Sequence, residues 1–161
     1  MRKLITKSTP KPQPHRVLRV PALILAGLNK TYQIGPNPEI KEQWSRFMGD
    51  FGRIETQVGY NAYGVCHAHD GKGQMDYLCA AEVKDPDRLP SYFHVLRIPA
   101  RKIAIFIHDG PLHGLSKSWS RIFSEWLPAA KLQVALGPQF EVYGEEFNQG
   151  KEKVEVHIPV K

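Results

Sequence analysis

The sequence predicts an α+β fold: duplicated βαββ units with pseudo-twofold symmetry, antiparallel sheets, one long helix per half and a central ligand cleft. Three observations predict it. Val17-Leu18-Arg19-Val20-Pro21-Ala22 returns as Val95-Leu96-Arg97-Ile98-Pro99-Ala100, 78 residues on. Trp44-Ser45-Arg46 returns as Trp119-Ser120-Arg121, 75 on. Tyr60-Asn61-Ala62-Tyr63-Gly64 returns as Phe140-Glu141-Val142-Tyr143-Gly144, 80 on. Matches in the same order at nearly one offset mark a repeated unit.

Each element follows from local pattern. Residues 1–14 are rich in Lys and Pro and read as a disordered basic arm. A strand is expected over 15–28. Gly35-Pro36-Asn37-Pro38 then punctuates, with Asn37 as helix cap and Pro38 in the first turn. Ile40, Trp44, Phe47, Met48 and Phe51 recur on one helical face, predicting a helix over 39–51. Strands at 58–69 and 75–84 flank the turn Gly71-Lys72-Gly73, and Asp85-Pro86-Asp87-Arg88-Leu89-Pro90 is the linker. The second half repeats the series: a strand over 93–108, a helix over 113–127 stopped by Pro128, and strands at 139–147 and 153–160. The chain is therefore expected to be one domain over 15–161, with halves at 15–85 and 91–161.

The net charge of +6 would suit a nucleic-acid partner, but its distribution does not. Residues 1–38 hold seven Lys and Arg and no acid, so the remainder sums to −1. Direct DNA binding is not expected, and no apolar run is long enough for a membrane helix. Residues 21–28 resemble a signal peptide in composition, but their twin in mid-chain reads as a strand, which implies a cytoplasmic protein. Cys66 and Cys79 are expected as buried free thiols on neighbouring strands.

Glu141 is the most informative residue. It sits in a strand pattern, Phe140-Glu141-Val142-Tyr143, where carboxylates are disfavoured. Alternation puts Glu141 and Tyr143 on one face. The repeat places Asn61 and Tyr63 on the equivalent face of the first half, so an amide is expected to face a carboxylate across the cleft. Trp44, Trp119 and Tyr77 are candidate walls, with core packing the competing role for both tryptophans. A carboxylate among aromatic rings attracts cations by charge and by the ring faces. The histidines (His67, His69, His94, His108, His113) are scattered without a completing acid, so no metal site is expected. No Gly-x-Ser-x-Gly elbow and no phosphate loop is present, and no cofactor is expected.

Four segments together resemble one family: Ile103 to Gly110, Ile122 to Pro128, Pro138 to Tyr143 and Val154 to Val160. They are similar to the gyrase-inhibitor-like small-molecule-binding domain, which is also the effector-binding domain of AraC-type and MerR-type regulators. The resemblance spans residues 15–161. It implies a pocket between two halves for hydrophobic, often cationic compounds, with Glu141 in the place of the family's pocket glutamate and Trp44 in that of its first-helix tryptophan. The expected function is sequestration or sensing of a hydrophobic cation, with Glu141 as charge partner and Trp44, Tyr63, Tyr77, Tyr143, Asn61 and Trp119 around it. Two alternatives accompany it. One is hydrolysis of a strained electrophile with Glu141 as base and Tyr143 assisting. The other is engagement of a protein partner, a topoisomerase or a regulator, through the basic arm.

Overall fold

The computed structural model describes residues 16–161; the basic arm at 1–14 lies outside them. In chain order the elements are β1 (Arg16–Val20), β2 (Leu23–Gln33), α1 (Ile40–Met48), β3 (Gln57–His67), β4 (Gln74–Val83), β5 (His94–Ile98), β6 (Arg101–Asp109), α2 (Leu115–Arg121), a π turn over Ile122–Trp126, α3 (Leu127–Ala129), β7 (Gln139–Tyr143), α4 (Glu145–Asn148) and β8 (Lys153–Pro159).

The single strands expected at 15–28 and 93–108 are each two strands. Pro21-Ala22 separates β1 from β2, and Pro99-Ala100 separates β5 from β6. Proline brings no N–H and a fixed φ, so a ladder running into it ends there. Each half therefore runs ββαββ rather than βαββ. The end of the strand expected at 139–147 is instead α4, which follows Gly144. Asn37 does not cap α1. Its amide donates to the carbonyls of Gln33 (2.7 Å) and Gly35 (2.9 Å), closing the turn that precedes the helix.

All eight strands form one antiparallel sheet in the order β1-β6-β8-β7-β3-β4-β2-β5. The halves interleave at the edges, where β1 pairs with β6 and β5 with β2. That order forces the sheet to curl. β1 is at one edge and β2 seventh across, yet only Pro21 and Ala22 join them. A flat sheet would separate these strands by about 29 Å, at about 4.8 Å per strand. The three steps from Val20 to Leu23 span about 10 Å at most. The sheet is a half-barrel whose two ends are strapped together.

The straps define an inner face. It carries Leu25, Tyr63, Val65, Leu78, Ile98, Phe140 and Val142, which form one buried cluster. Helices cover the outer face. α1 lays Phe47 against Ala26, Tyr77, Cys79, Ala81 and Val83. The second helical segment lays Leu115, Ile122 and Leu127 against Ala104, Phe106, Val154 and Val156. Of the apolar face expected for α1, Phe47 is fully buried, while Met48 is half exposed because the helix ends there. Gln43 is buried instead. Its amide donates to the carbonyls of Leu28 (2.8 Å) and Tyr77 (2.9 Å) and accepts from the Tyr32 hydroxyl (2.8 Å), pinning α1 to β2 and β4.

Phe47 is the apolar anchor of α1. Phe47→Ala is expected to lower the unfolding free energy by about 3–5 kcal/mol in chemical denaturation, while a loss below about 1 kcal/mol would contradict this packing.

Candidate functional site

Glu141 lies on β7 with Gly64 of β3 opposite it on one side and Val156 of β8 on the other. Residues paired across an antiparallel sheet share a face. The row Leu28, Cys79, Gly64, Glu141, Val156, Phe106 therefore crosses six strands on the outer face, with Glu141 near its middle. β7 buries side chains on both faces, which makes room for a carboxylate that is only 7% exposed.

Aromatic side chains close over it. The Tyr143 hydroxyl donates to Glu141 Oε2 at 2.6 Å. The Trp44 ring meets Tyr143 edge to face, with centroids 5.3 Å apart and planes at 76°. Trp44 Nε1 donates to the Tyr77 hydroxyl at 3.1 Å. Gly64 makes this packing possible. A Cβ there would come within 2.3 Å of the Tyr77 hydroxyl and 3.2 Å of Trp44 Cζ2. The bare backbone of β3 is thus the floor on which both side chains rest beside the carboxylate.

Burial governs the electrostatics. It pushes the Glu141 carboxyl up to about 7 against its ordinary 4.5, and the Tyr143 hydrogen bond opposes that shift only in part. Burial, reinforced by the Glu141 charge, raises the Tyr77 and Tyr143 phenols, so both stay neutral. Cys66, pushed up to about 12, and Cys79, raised further, are inert thiols for the same reasons and form no disulfide. Among the described residues no basic side chain pairs with Glu141, and no group of three or more His, Cys, Asp and Glu could hold a metal.

The structure brings together Glu141, Tyr143, Trp44 and Tyr77. It separates Tyr63 and Asn61 from them. Tyr63 pairs with Val142, and Ala62 with Tyr143, so Tyr63 points to the inner face and Asn61 follows the same alternation. The equivalence of Asn61 with Glu141 is therefore three residues out of step, and an odd slip exchanges faces. The residue facing Glu141 is Gly64, which the repeat pattern read as part of a shared strand end. Trp119 is on the outer face, packed on the second-half core and stacked on Phe123 (6.4 Å, 9°). A cavity of about 440 Å³ lies on the inner face, lined by Tyr63, Asn61, Phe140, Val142 and the strap Val20–Leu23; Glu141, Trp44 and Tyr77 do not line it.

Comparison with known proteins agrees with the fold. The model of the GyrI-like small molecule binding domain matches residues 13–161, and the chain belongs to that family. The transcriptional regulator BrlR of Pseudomonas aeruginosa strain PAO1 is 26% identical over 152 residues, covering 90% of this chain and 54% of BrlR. The chain thus spans about half the length of that curated relative. Two solved structures share the fold. SAV2435 bound to tetraphenylphosphonium has a TM-score of 0.71 at 20% identity, covering 91% of this chain and 93% of that one. An integron cassette protein from the mobile metagenome of Vibrio cholerae has a TM-score of 0.67 at 16% identity, covering 91% and 95%. No helix among the described residues is long and apolar enough to cross a membrane.

The raised carboxyl sets a pH dependence. Between its ordinary 4.5 and about 7, the unfolded chain loses the Glu141 proton while the folded chain keeps it. Stability therefore falls as pH rises through this window and levels off above it, by roughly 3 kcal/mol in all. In urea denaturation, Glu141→Gln is expected to lack this fall and to gain on the wild type progressively from pH 4.5 to 7. A constant difference between the two proteins across that range would contradict the buried neutral acid.

Proposed function

We propose that this chain binds lipophilic organic cations, with Glu141 as the charge partner and Trp44, Tyr77 and Tyr143 as aromatic walls. The observation that carries this reading is a buried carboxyl with no basic partner among the described residues, closed in by electron-rich rings. An ionised carboxylate there is costly unless compensated. A cation supplies the compensation, and each ring face adds roughly 0.5–2 kcal/mol of cation–π attraction. A protein of the same fold, SAV2435, carries tetraphenylphosphonium, a bulky apolar monocation.

Entry requires the aromatic cover to part. Trp44 is the side chain to move, being half-buried and held beside the acid by one hydrogen bond and edge-on ring contacts. Trp119, on the second helical segment, is packed on the second-half core, and we assign it to the far side of a large ligand on the repeat alone. Tyr63 and Asn61 belong to the inner cavity and are left out of this site. Binding is favoured over hydrolysis with Glu141 as base, because the carboxyl is shut from the water it would have to activate.

We also infer that the two halves are duplicates related by a pseudo-twofold axis through the β3–β7 pair. The strand order reads the same from either edge when β1–β4 are exchanged for β5–β8. The repeats Val17–Ala22 and Val95–Ala100 fall on the two straps, and Trp44 and Trp119 on the two helices.

Because the cation displaces a proton from an acid that titrates near 7, affinity depends on pH. Calorimetric titration with tetraphenylphosphonium is expected to show affinity rising about tenfold per pH unit from 5 toward 7 and flat above. Glu141→Gln should bind at least tenfold more weakly at pH 8 and show no such slope. Equal affinity in wild type and variant would overturn the assignment.

A further inference from the structure

The inner face holds a second charged arrangement, independent of Glu141. Arg101 opens β6 just after the Pro99-Ala100 strap and pairs with Val20 of β1. Its guanidinium lies over the Phe140 ring, 5.6 Å from the centroid. Both terminal nitrogens, Nη1 and Nη2, are closed off from solvent and meet no hydrogen-bond acceptor among the described residues. A guanidinium is an always-charged fork of donors shaped for a carboxylate, and leaving it unmatched inside a protein is unfavourable.

Arg101 lines the 440 Å³ cavity, and so does Glu82 of β4. Glu82 is half-buried, and among the described residues no hydrogen bond or ion pair involves it, with Arg101 included. The other acidic and basic side chains on this wall each have a polar partner, a neutral amide in the case of Glu145. Glu155 meets His157 at 3.3 Å, Lys153 meets Glu146 at 3.9 Å, and Gln149 donates to Glu145 at 3.2 Å. A cation and an anion without polar partners among the described residues thus face a single cavity floored by Tyr63, Phe140 and Val142, without touching each other.

We propose that this inner cavity is a separate binding site for a small zwitterion, whose carboxylate docks on Arg101 as the guanidinium turns off the Phe140 ring into the cavity, and whose cationic group faces Glu82. The apolar floor takes the spacer between the two charges. A simple anion would satisfy Arg101 and leave Glu82 unmatched, and a simple cation the reverse. The volume falls within the range of ordinary small-ligand pockets. The site is on the opposite side of the sheet from Glu141, so the two ligands do not compete for one place.

The test uses the whole chain and ω-amino carboxylates from β-alanine to aminooctanoate, beside the matching fatty acids and alkylamines. Heteronuclear NMR titration is expected to find one chain length that saturates, shifting the amides of Tyr63 and Phe140 while the Trp44 indole N–H stays in place. The matching acid and amine should each bind at least tenfold more weakly than that zwitterion. Arg101→Met and Glu82→Gln should each weaken it at least tenfold, and Arg101→Lys should restore only part of the loss. If Arg101→Met fails to fold, Glu82→Gln, Arg101→Lys and the probe comparison still decide. No saturable binding by any ω-amino carboxylate, equal binding of the fatty acid, or shifts centred on Trp44 would each overturn the proposal.

Discussion

The pairing of β3 with β7 joins the two four-strand blocks into one sheet and sets Glu141 directly across from Gly64. Much of the rest follows from that contact. A side chain at position 64 would drive the Tyr77 hydroxyl and the Trp44 ring off β3 and open the carboxyl to water. Without one, the rings settle over the acid and leave it 7% exposed. The same pairing turns Phe140 and Val142 inward, where they floor the cavity beneath the straps. One register decision thus sets a ring-covered acid on the outer face and an apolar floor beneath the cavity on the inner face.

The energetic logic is that of a stored mismatch. A neutral acid in a closed aromatic setting is tolerable, whereas a bare carboxylate there is not. On the proposed function, the fold keeps the proton until something cationic and apolar replaces it. The positive charge of such a ligand would make ionisation favourable, and its apolar surface would take over the burial that the rings provide. The same proposal entails selectivity for bulky cations over Na⁺ or Lys side chains, since a strongly hydrated charge gains little from rings and loses its water. In the second helical segment the π turn at Ile122–Trp126 seats Ile122 in the core.

Much of this was legible in the sequence. A glutamate framed by Phe140, Val142 and Tyr143 stood out because strands disfavour carboxylates, and the spacing of Trp44 and Phe47 placed α1 over the core. The family and the α+β class were also readable from the ordered motifs. Three features were not. The strand breaks at Pro21 and Pro99 hid inside apolar runs, and with them the exchange of β1 and β5 between halves. The face of Tyr63 depended on an offset of 80, while the pair Gly64–Glu141 lies 77 apart. Just upstream, the β3–β4 register shifts between Gln57 and Ala62, with Gly59 at φ 65°, so counting alternate residues fails there. Gly64 itself was silent because its role is to have no side chain.

The most direct measurement is the titration of the Glu141 side-chain carboxyl by carbon-13 NMR, with and without tetraphenylphosphonium. The midpoint is expected near 7 in the free protein, and well into the acidic range when the cation is bound. A free-protein midpoint in the ordinary carboxylate range, or one that does not move on binding, would contradict the exchange of a buried proton for a cation.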